Sequence, residues 1–241
     1  MGTGRIGSPI VPELITDIPS FQKGISVIEH AVTKYCMASE EHGGPGCGNV
    51  DLSRILVAFN GGKDCTLLLH LVSMVLTSYG RTVGKLRLLY ICDTPEETFP
   101  EVAEFVNMTK SRYGLECIEV YAGSMKAALE KVVHEFPEVR AILMGTRSGD
   151  PDAGWMDYFC HTSGGWPDMD LVVPILHMSY SEVWRIISGL RIDYCELYRR
   201  GFTSIGRRSN TQPNPLLKVD RDKYLHAEKL LDESEERSGR S

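Results

Sequence analysis

The sequence has no apolar stretch approaching the roughly 20 residues that a membrane-crossing helix requires, and no membrane partner is expected. It also lacks an excess of positive charge: 26 Lys and Arg stand against 32 Asp and Glu, a net charge of -6. A nucleic-acid partner is therefore not expected, because such a surface needs clustered cations to neutralise phosphates. Cysteines occur at 36, 47, 65, 92, 117, 160 and 195, an odd number with no C-x-x-C pair. That pattern argues against a disulfide framework or a zinc site and for reduced thiols. Met1 to Asp17 holds one basic residue, Arg5, and no apolar core, so no secretory address is read there and the cytoplasm is the expected compartment. No internal repeat is present, and the 7 histidines form no metal-spaced cluster.

What is there is the composition of a globular protein, 42% apolar and 24% charged over 241 residues. Residues 18–37 carry apolar side chains at helical spacing, and a polar Gly-rich break follows at 40–49. From there strand and helix patterns alternate. Short β-branched runs at 54–59, 86–92, 115–121 and 140–144 predict buried strands. Helical faces at 63–79, 99–113 and 124–136 lie between them, the last with Ser124 as N-cap. A fifth strand is expected at 171–176, a helix at 179–190 and another around 220–231. Such alternation implies right-handed βαβ crossovers and an α/β fold, a Rossmann-like open parallel sheet with helices on both faces. The expected organisation is one domain over 1–241: an N-terminal helix and loop (1–50), an α/β core (51–190) and an irregular C-terminal extension (191–241).

The segment Phe59-Asn60-Gly61-Gly62-Lys63-Asp64-Cys65-Thr66 lies between the first strand and the first core helix. At that edge of a parallel sheet anions meet a helix N-terminus. Two adjacent glycines let backbone N–H groups approach a ligand closely, Lys63 adds a point charge for phosphate, and Thr66 a hydroxyl donor. The spacing is neither the Walker A loop nor G-x-G-x-x-G. Taken alone, the segment reads either as a phosphate loop or as a Gly-Gly turn with a solvated Lys-Asp.

The loop resembles that of the PP-loop ATP pyrophosphatases, usually Ser-Gly-Gly-x-Asp-Ser, with Asn60 at the first position. FNGGKDCT as a whole is similar to the eukaryotic FAD synthase family of the PAPS reductase-like group. FPEVAEFV (99–106), GSMKAAL (123–129), LMGTRSGDP (143–151), GWP (165–167), DYCELYRRGFTSIG (193–206), NPLL (214–217) and EERSGR (235–240) continue the resemblance in order. It implies an adenine nucleotide alpha hydrolase-like fold and an FMN adenylyltransferase, with ATP and FMN as substrates, FAD as product and Mg²⁺ as cofactor. Flavoproteins are implied as possible acceptors of the FAD.

The same resemblance implies the roles of individual residues. Phe59, Gly61, Gly62, Lys63, Thr66, Gly145 and Arg147 would hold the ATP phosphates. Asn60, Asp64 and Asp150 would be catalytic, with Asp64 either on the metal or orienting Lys63; without the resemblance Asp64 is equally a carboxylate favoured by a helix N-terminus. Ser163, Trp166, Arg237 and Arg240 would face the flavin, though Trp166 reads equally well as a buried structural residue. Ser163 stands where many relatives carry Asp, and His177-Met178 where relatives often have Trp. The tail bearing the two arginines shows no apolar face and is expected to order only around an anionic ligand. Two readings compete: a sulfonucleotide reductase, which needs a catalytic cysteine near the C-terminus where none follows Cys195, and a non-catalytic PP-loop protein that binds ATP without cleaving it.

Overall fold

Alternate residues of the first strand enter two different cores, and this fixes the layered architecture. Ile55 and Val57 pack on one side of the sheet, while Leu56 packs on the other with Leu89, Ile142 and Leu171. The computed structural model describes residues 12–37, 50–81, 83–92, 94–122, 124–151 and 153–241. The Gly-rich break at 40–49 thus lies outside the described residues.

In chain order the elements are α1 (Glu13–Thr16), α2 (Pro19–Ala31), β1 (Ile55–Ala58), α3 (Lys63–Ser78), β2 (Arg87–Cys92), α4 (Pro100–Tyr113) and β3 (Glu116–Tyr121). They continue with α5 (Met125–Glu135), β4 (Ala141–Leu143), β5 (Phe159–His161), β6 (Asp170–Val172), α6 (Tyr180–Gly189), β7 (Lys218–Asp220) and β8 (Lys223–Tyr224). α2 runs on into a π-helical turn, Val32–Cys36, which accounts for the long N-terminal helical pattern. Six strands form one sheet in the order β3-β2-β1-β4-β6-β5. Neighbours are parallel except β5, which runs antiparallel to β6. The expected mainly parallel sheet with helices on both faces is present. The larger core takes side chains from α2, α3, α4 and α6, and the smaller one is closed by Ala128, Leu129 and Val132 of α5.

Helix ends match their sequence signals. Ser124 caps α5 through its hydroxyl and the Ala127 N–H, and Ser179 with Glu182 forms a full capping box on α6. One element is corrected: 220–231 is not an α-helix but the β7–β8 hairpin followed by a 3₁₀ turn, Ala227–Lys229. The Asp220 carboxylate accepts the Arg221 N–H at 2.7 Å and Leu225 N donates to Leu217 O at 2.8 Å, closing the β7–β8 hairpin. An aspartate that hydrogen-bonds its own neighbouring backbone competes with helix formation. β5 was not foreseen, because the edge strand is only three residues long and lies between aromatic and glycine-rich segments. Among the described residues, no helix is long and apolar enough to cross a membrane.

Candidate active site

The carboxyl ends of β1, β2 and β4 open onto a cavity of about 590 Å³. Its floor is apolar, built from Ala58, Leu89, Ile91, Met125 and Met144, and one wall is the loop Phe59 to Cys65. The opposite side comes from Tyr198, Ser204 to Arg207, Asn210 and the C-terminal Glu236, Arg237 and Arg240. An apolar floor with convergent polar groups at a strand-end crevice is the usual form of a ligand site in an open α/β sheet.

The loop is held by its own side chains. The Asn60 Oδ1 accepts the Gly62 N–H at 3.0 Å and the Cys65 thiol at 3.0 Å, so this residue templates the turn. Gly61, at φ 76°, packs towards Val102 and Val106 of α4, and Gly62 forms the N-cap of α3. Thr66 does not reach the cavity: its hydroxyl donates back to the Gly62 carbonyl at 2.7 Å. Gly145, at the end of β4, touches the first turn of α3. A Cβ there would lie 2.8 Å from the Cys65 nitrogen and 2.9 Å from the Asp64 carbonyl carbon. Only glycine allows the strand end and the helix start to meet this closely.

Charge in the site is organised as a quartet. The Lys63 ammonium, 2% exposed, lies 2.9 Å from Asp64 and 2.5 Å from Glu236. The Arg147 Nε donates to the other Asp64 oxygen at 2.9 Å, and its Nη2 donates to the other Glu236 oxygen. Burial pushes the Asp64 carboxyl up, but Lys63 and Arg147 outweigh it and hold the group below the usual carboxylate range. Burial likewise opposes the Arg147 charge, and Asp64 and Glu236 reverse that, raising its pKa further. Asp150 accepts the Arg147 backbone N–H at 2.8 Å and faces Arg237 at 3.7 Å.

Residues 54–138 and 123–213 match the family of the phosphoadenosine phosphosulfate reductase domain. A probable FAD synthase of Schizosaccharomyces pombe is 38% identical over 191 residues, 78% of this chain and 72% of that protein. The chain belongs to this family, and its relatives there include FAD synthases. A probable FAD synthase of Caenorhabditis elegans is 34% identical over 230 residues, 93% of this chain. The chain spans 37% and 41% of the length of the two worm relatives, from Caenorhabditis briggsae and C. elegans. The fold is also that of the Candida glabrata FMN adenylyltransferase solved with FAD and inorganic pyrophosphate. The two superpose with a TM-score of 0.79 at 25% identity, covering 92% of this chain and 86% of that one.

Among the described residues, a single cysteine lines the cavity. Cys195 is buried, and Cys65, the cavity cysteine, has its thiol pushed up to about 12 by burial. A protein-only metal site is absent among the described residues, since no three His, Cys, Asp or Glu side chains converge. Magnesium fits the donor set nonetheless. It keeps several waters and takes phosphate oxygens beside one or two carboxylates, and Asp64 and Asp150 both line the cavity.

Ser163 and Trp166 are not brought to the cavity. They sit in the β5–β6 turn, where the Trp166 N–H reaches the Ser163 carbonyl at 3.3 Å and Trp166 is 42% exposed. Arg237 and Arg240 do reach it, and here the structure corrects the expectation of an undocked tail. The segment is held by polar contacts that hydropathy does not register. Gln212 N donates to Gly239 O at 2.9 Å, the Thr203 hydroxyl to Glu236 O at 2.6 Å, and the fully buried Asn214 amide to Glu235 O at 2.8 Å. Glu233 accepts the Tyr180 N–H at 2.9 Å and the Ser181 N–H at 3.1 Å, at the first turn of α6. The Arg240 Nε is buried with no partner. Sequence reasoning missed Glu236 and Tyr198; in one dimension Glu236 is one acid in an acidic run and Tyr198 one aromatic among several.

Proposed function

We propose that this chain, acting as a single domain in the cytoplasm, transfers AMP from ATP to FMN and releases FAD and pyrophosphate. The observation that carries the reading is the meeting of two anion-binding features in one cavity. One is the Asn60–Cys65 loop with Lys63, backed by Arg147 through the carboxylates of Asp64 and Glu236. The other is the tail pair Arg237 and Arg240, whose Arg240 Nε lacks a partner. An adenylyl transfer needs such a pair of sites, because both reactants carry phosphate. The FAD synthase relatives and the Candida glabrata complex with FAD and pyrophosphate support the same chemistry.

In this reading an FMN phosphate oxygen attacks the α-phosphorus of ATP, and the bond to the β-phosphate bridging oxygen breaks with its electron pair leaving on pyrophosphate. The nucleophile is already anionic, so no protein base is required. The chain's residues align the reactants and neutralise charge on the leaving group. Lys63 and Arg147 serve the pyrophosphate, with Asn60 shaping the Gly61-Gly62 turn and Gly145 closing the wall. Asp64 and Asp150 would hold Mg²⁺, which supplies charge neutralisation on the phosphates. Arg237 and Arg240 take the FMN phosphate bidentately, and Trp166 offers a face to the isoalloxazine ring when the β5–β6 turn meets the ligand. Residues 191–241 form the flavin-binding extension. No nucleic acid or membrane takes part, and flavoproteins receive the product.

Incubation with ATP, Mg²⁺ and FMN, with flavins resolved by chromatography, tests the reading. FAD and pyrophosphate in equal amounts are expected, and riboflavin, which lacks the attacking phosphate, gives no product. ADP and inorganic phosphate, or ATP binding without pyrophosphate release, would overturn it.

A further inference from the structure

The two carboxylates of the charge quartet are arranged alike. Asp64 places one oxygen on Lys63 and the other on Arg147, and Glu236 does the same from the opposite side. Asp64 is fixed in the first turn of α3, but Glu236 comes from a tail 173 residues beyond Lys63 and held mainly by polar contacts. The quartet is formally neutral, two cations against two anions. Its cations are nearly buried, Lys63 at 2% and Arg147 at 7% side-chain exposure. A phosphate that approached this arrangement would meet no net attraction, and both cations would already be satisfied. Yet these are the cations the proposed reaction requires for its leaving group.

We propose that Glu236 is a tethered counter-ion that pairs with both cations of the phosphate subsite, and that the polyphosphate of a nucleoside triphosphate displaces it. The inference rests on the nucleotide reading of the cavity. A carboxylate with one oxygen on each cation occupies the position of a phosphoryl group. It satisfies Lys63 and Arg147 while the site waits and sets a threshold that only a strongly charged ligand passes. Displacement also releases Arg237, the adjacent residue, which faces Asp150 at 3.7 Å in the docked tail. Nucleotide binding therefore frees an arginine for the second substrate, which favours an order of binding with ATP first. The apparent affinity for polyphosphate is reduced by the fraction of molecules whose tail is docked.

Calorimetric titration with inorganic pyrophosphate tests this without flavin. Glu236→Gln keeps the shape of the side chain and removes its charge, and should bind pyrophosphate at least about fivefold tighter than the wild type, since the tail tax is lifted. Glu235→Gln, one residue earlier and outside the quartet, should bind as the wild type does. Trypsin provides a second reading: pyrophosphate should speed cleavage after Arg237 in the wild type, and Glu236→Gln should be cut quickly with or without it. Equal or weaker pyrophosphate binding by Glu236→Gln would overturn the proposal, as would binding by neither protein. Whether the wild type makes FAD is measured separately, so loss of this proposal and loss of the proposed activity are told apart.

Discussion

The phenol oxygen of Tyr198 accepts the backbone N–H of Lys63 at 2.7 Å, joining a C-terminal 3₁₀ turn to the start of α3. Tyr198 is itself fixed edge-on against Trp184, with ring centroids 5.3 Å apart, and burial raises its pKa well above the ordinary tyrosine value, so it stays neutral. It ties the loop that precedes α3 to the C-terminal layer. Tyr198→Phe keeps the ring and strands a buried donor, which costs about 1–3 kcal/mol. Thermal unfolding should report a melting point lower by several degrees, and calorimetry a weaker ATP affinity. Unchanged ATP binding would limit Tyr198 to packing.

Gly145→Ala tests the contact between β4 and α3. The added methyl meets backbone rather than a movable side chain, at 2.8–2.9 Å. Overpacking of this kind costs typically about 1–3 kcal/mol. Stability and pyrophosphate release should both fall. A fully stable, fully active variant would show that the strand end is free to withdraw.

Asp64→Asn leaves Lys63 and Arg147 with a single carboxylate partner. Pyrophosphate should still bind, because net positive charge in the subsite rises, while turnover falls on the order of 10²-fold. Parallel calorimetry and pyrophosphate-release assays separate the two effects. Near-normal turnover in a folded variant would remove Asp64 from the reaction.

At the far end of the sheet, Asp170 accepts hydrogen bonds from Tyr35, from His161 at 2.7 Å and from Lys34 at 3.0 Å. Burial pushes this carboxyl up, but the three donors win and hold it at about 2. A carboxylate depressed in the folded state contributes stability above its unfolded value, about 3.9, and loses that contribution as pH falls towards 2. Asp170→Asn should therefore be less stable than the wild type at pH 5, with the gap closing between about pH 4 and 2. A gap of constant size across thermal melts in that range would assign the loss to shape rather than charge.

The sequence was most legible where chemistry repeats with secondary structure. The alternation that buries Ile55 and Val57 on one face and Leu56 on the other announced the sheet, and Gly-Gly followed by Lys63 and Asp64 announced the turn into α3 that lines the cavity. Legibility failed where long-range polar contacts decide. Asp220 drew its segment into a hairpin although the surrounding residues favour helix, and Asn214, Thr203 and Glu236 docked a tail with no apolar stripe. Trp166 illustrates a different limit. A resemblance named it for the flavin, but the turn that carries it lies outside the cavity.

β1 sits between two partners of very different sequence distance. Leu56 pairs with Arg87 on one side and with Ile142 on the other. Closing the longer of these loops costs about 0.9 kcal/mol more chain entropy, from (3/2)RT ln(86/31) for the two spans. During folding, then, β1 and β2 should zip together first, and β4 should arrive after the rate-limiting step. The crevice between the ends of β1 and β4, the proposed nucleotide site, exists only once that late strand is in place. Stopped-flow refolding with and without ATP would reveal the sequence of events: nucleotide should slow unfolding and leave the refolding rate untouched. Faster refolding with ATP would mean that the crevice assembles early.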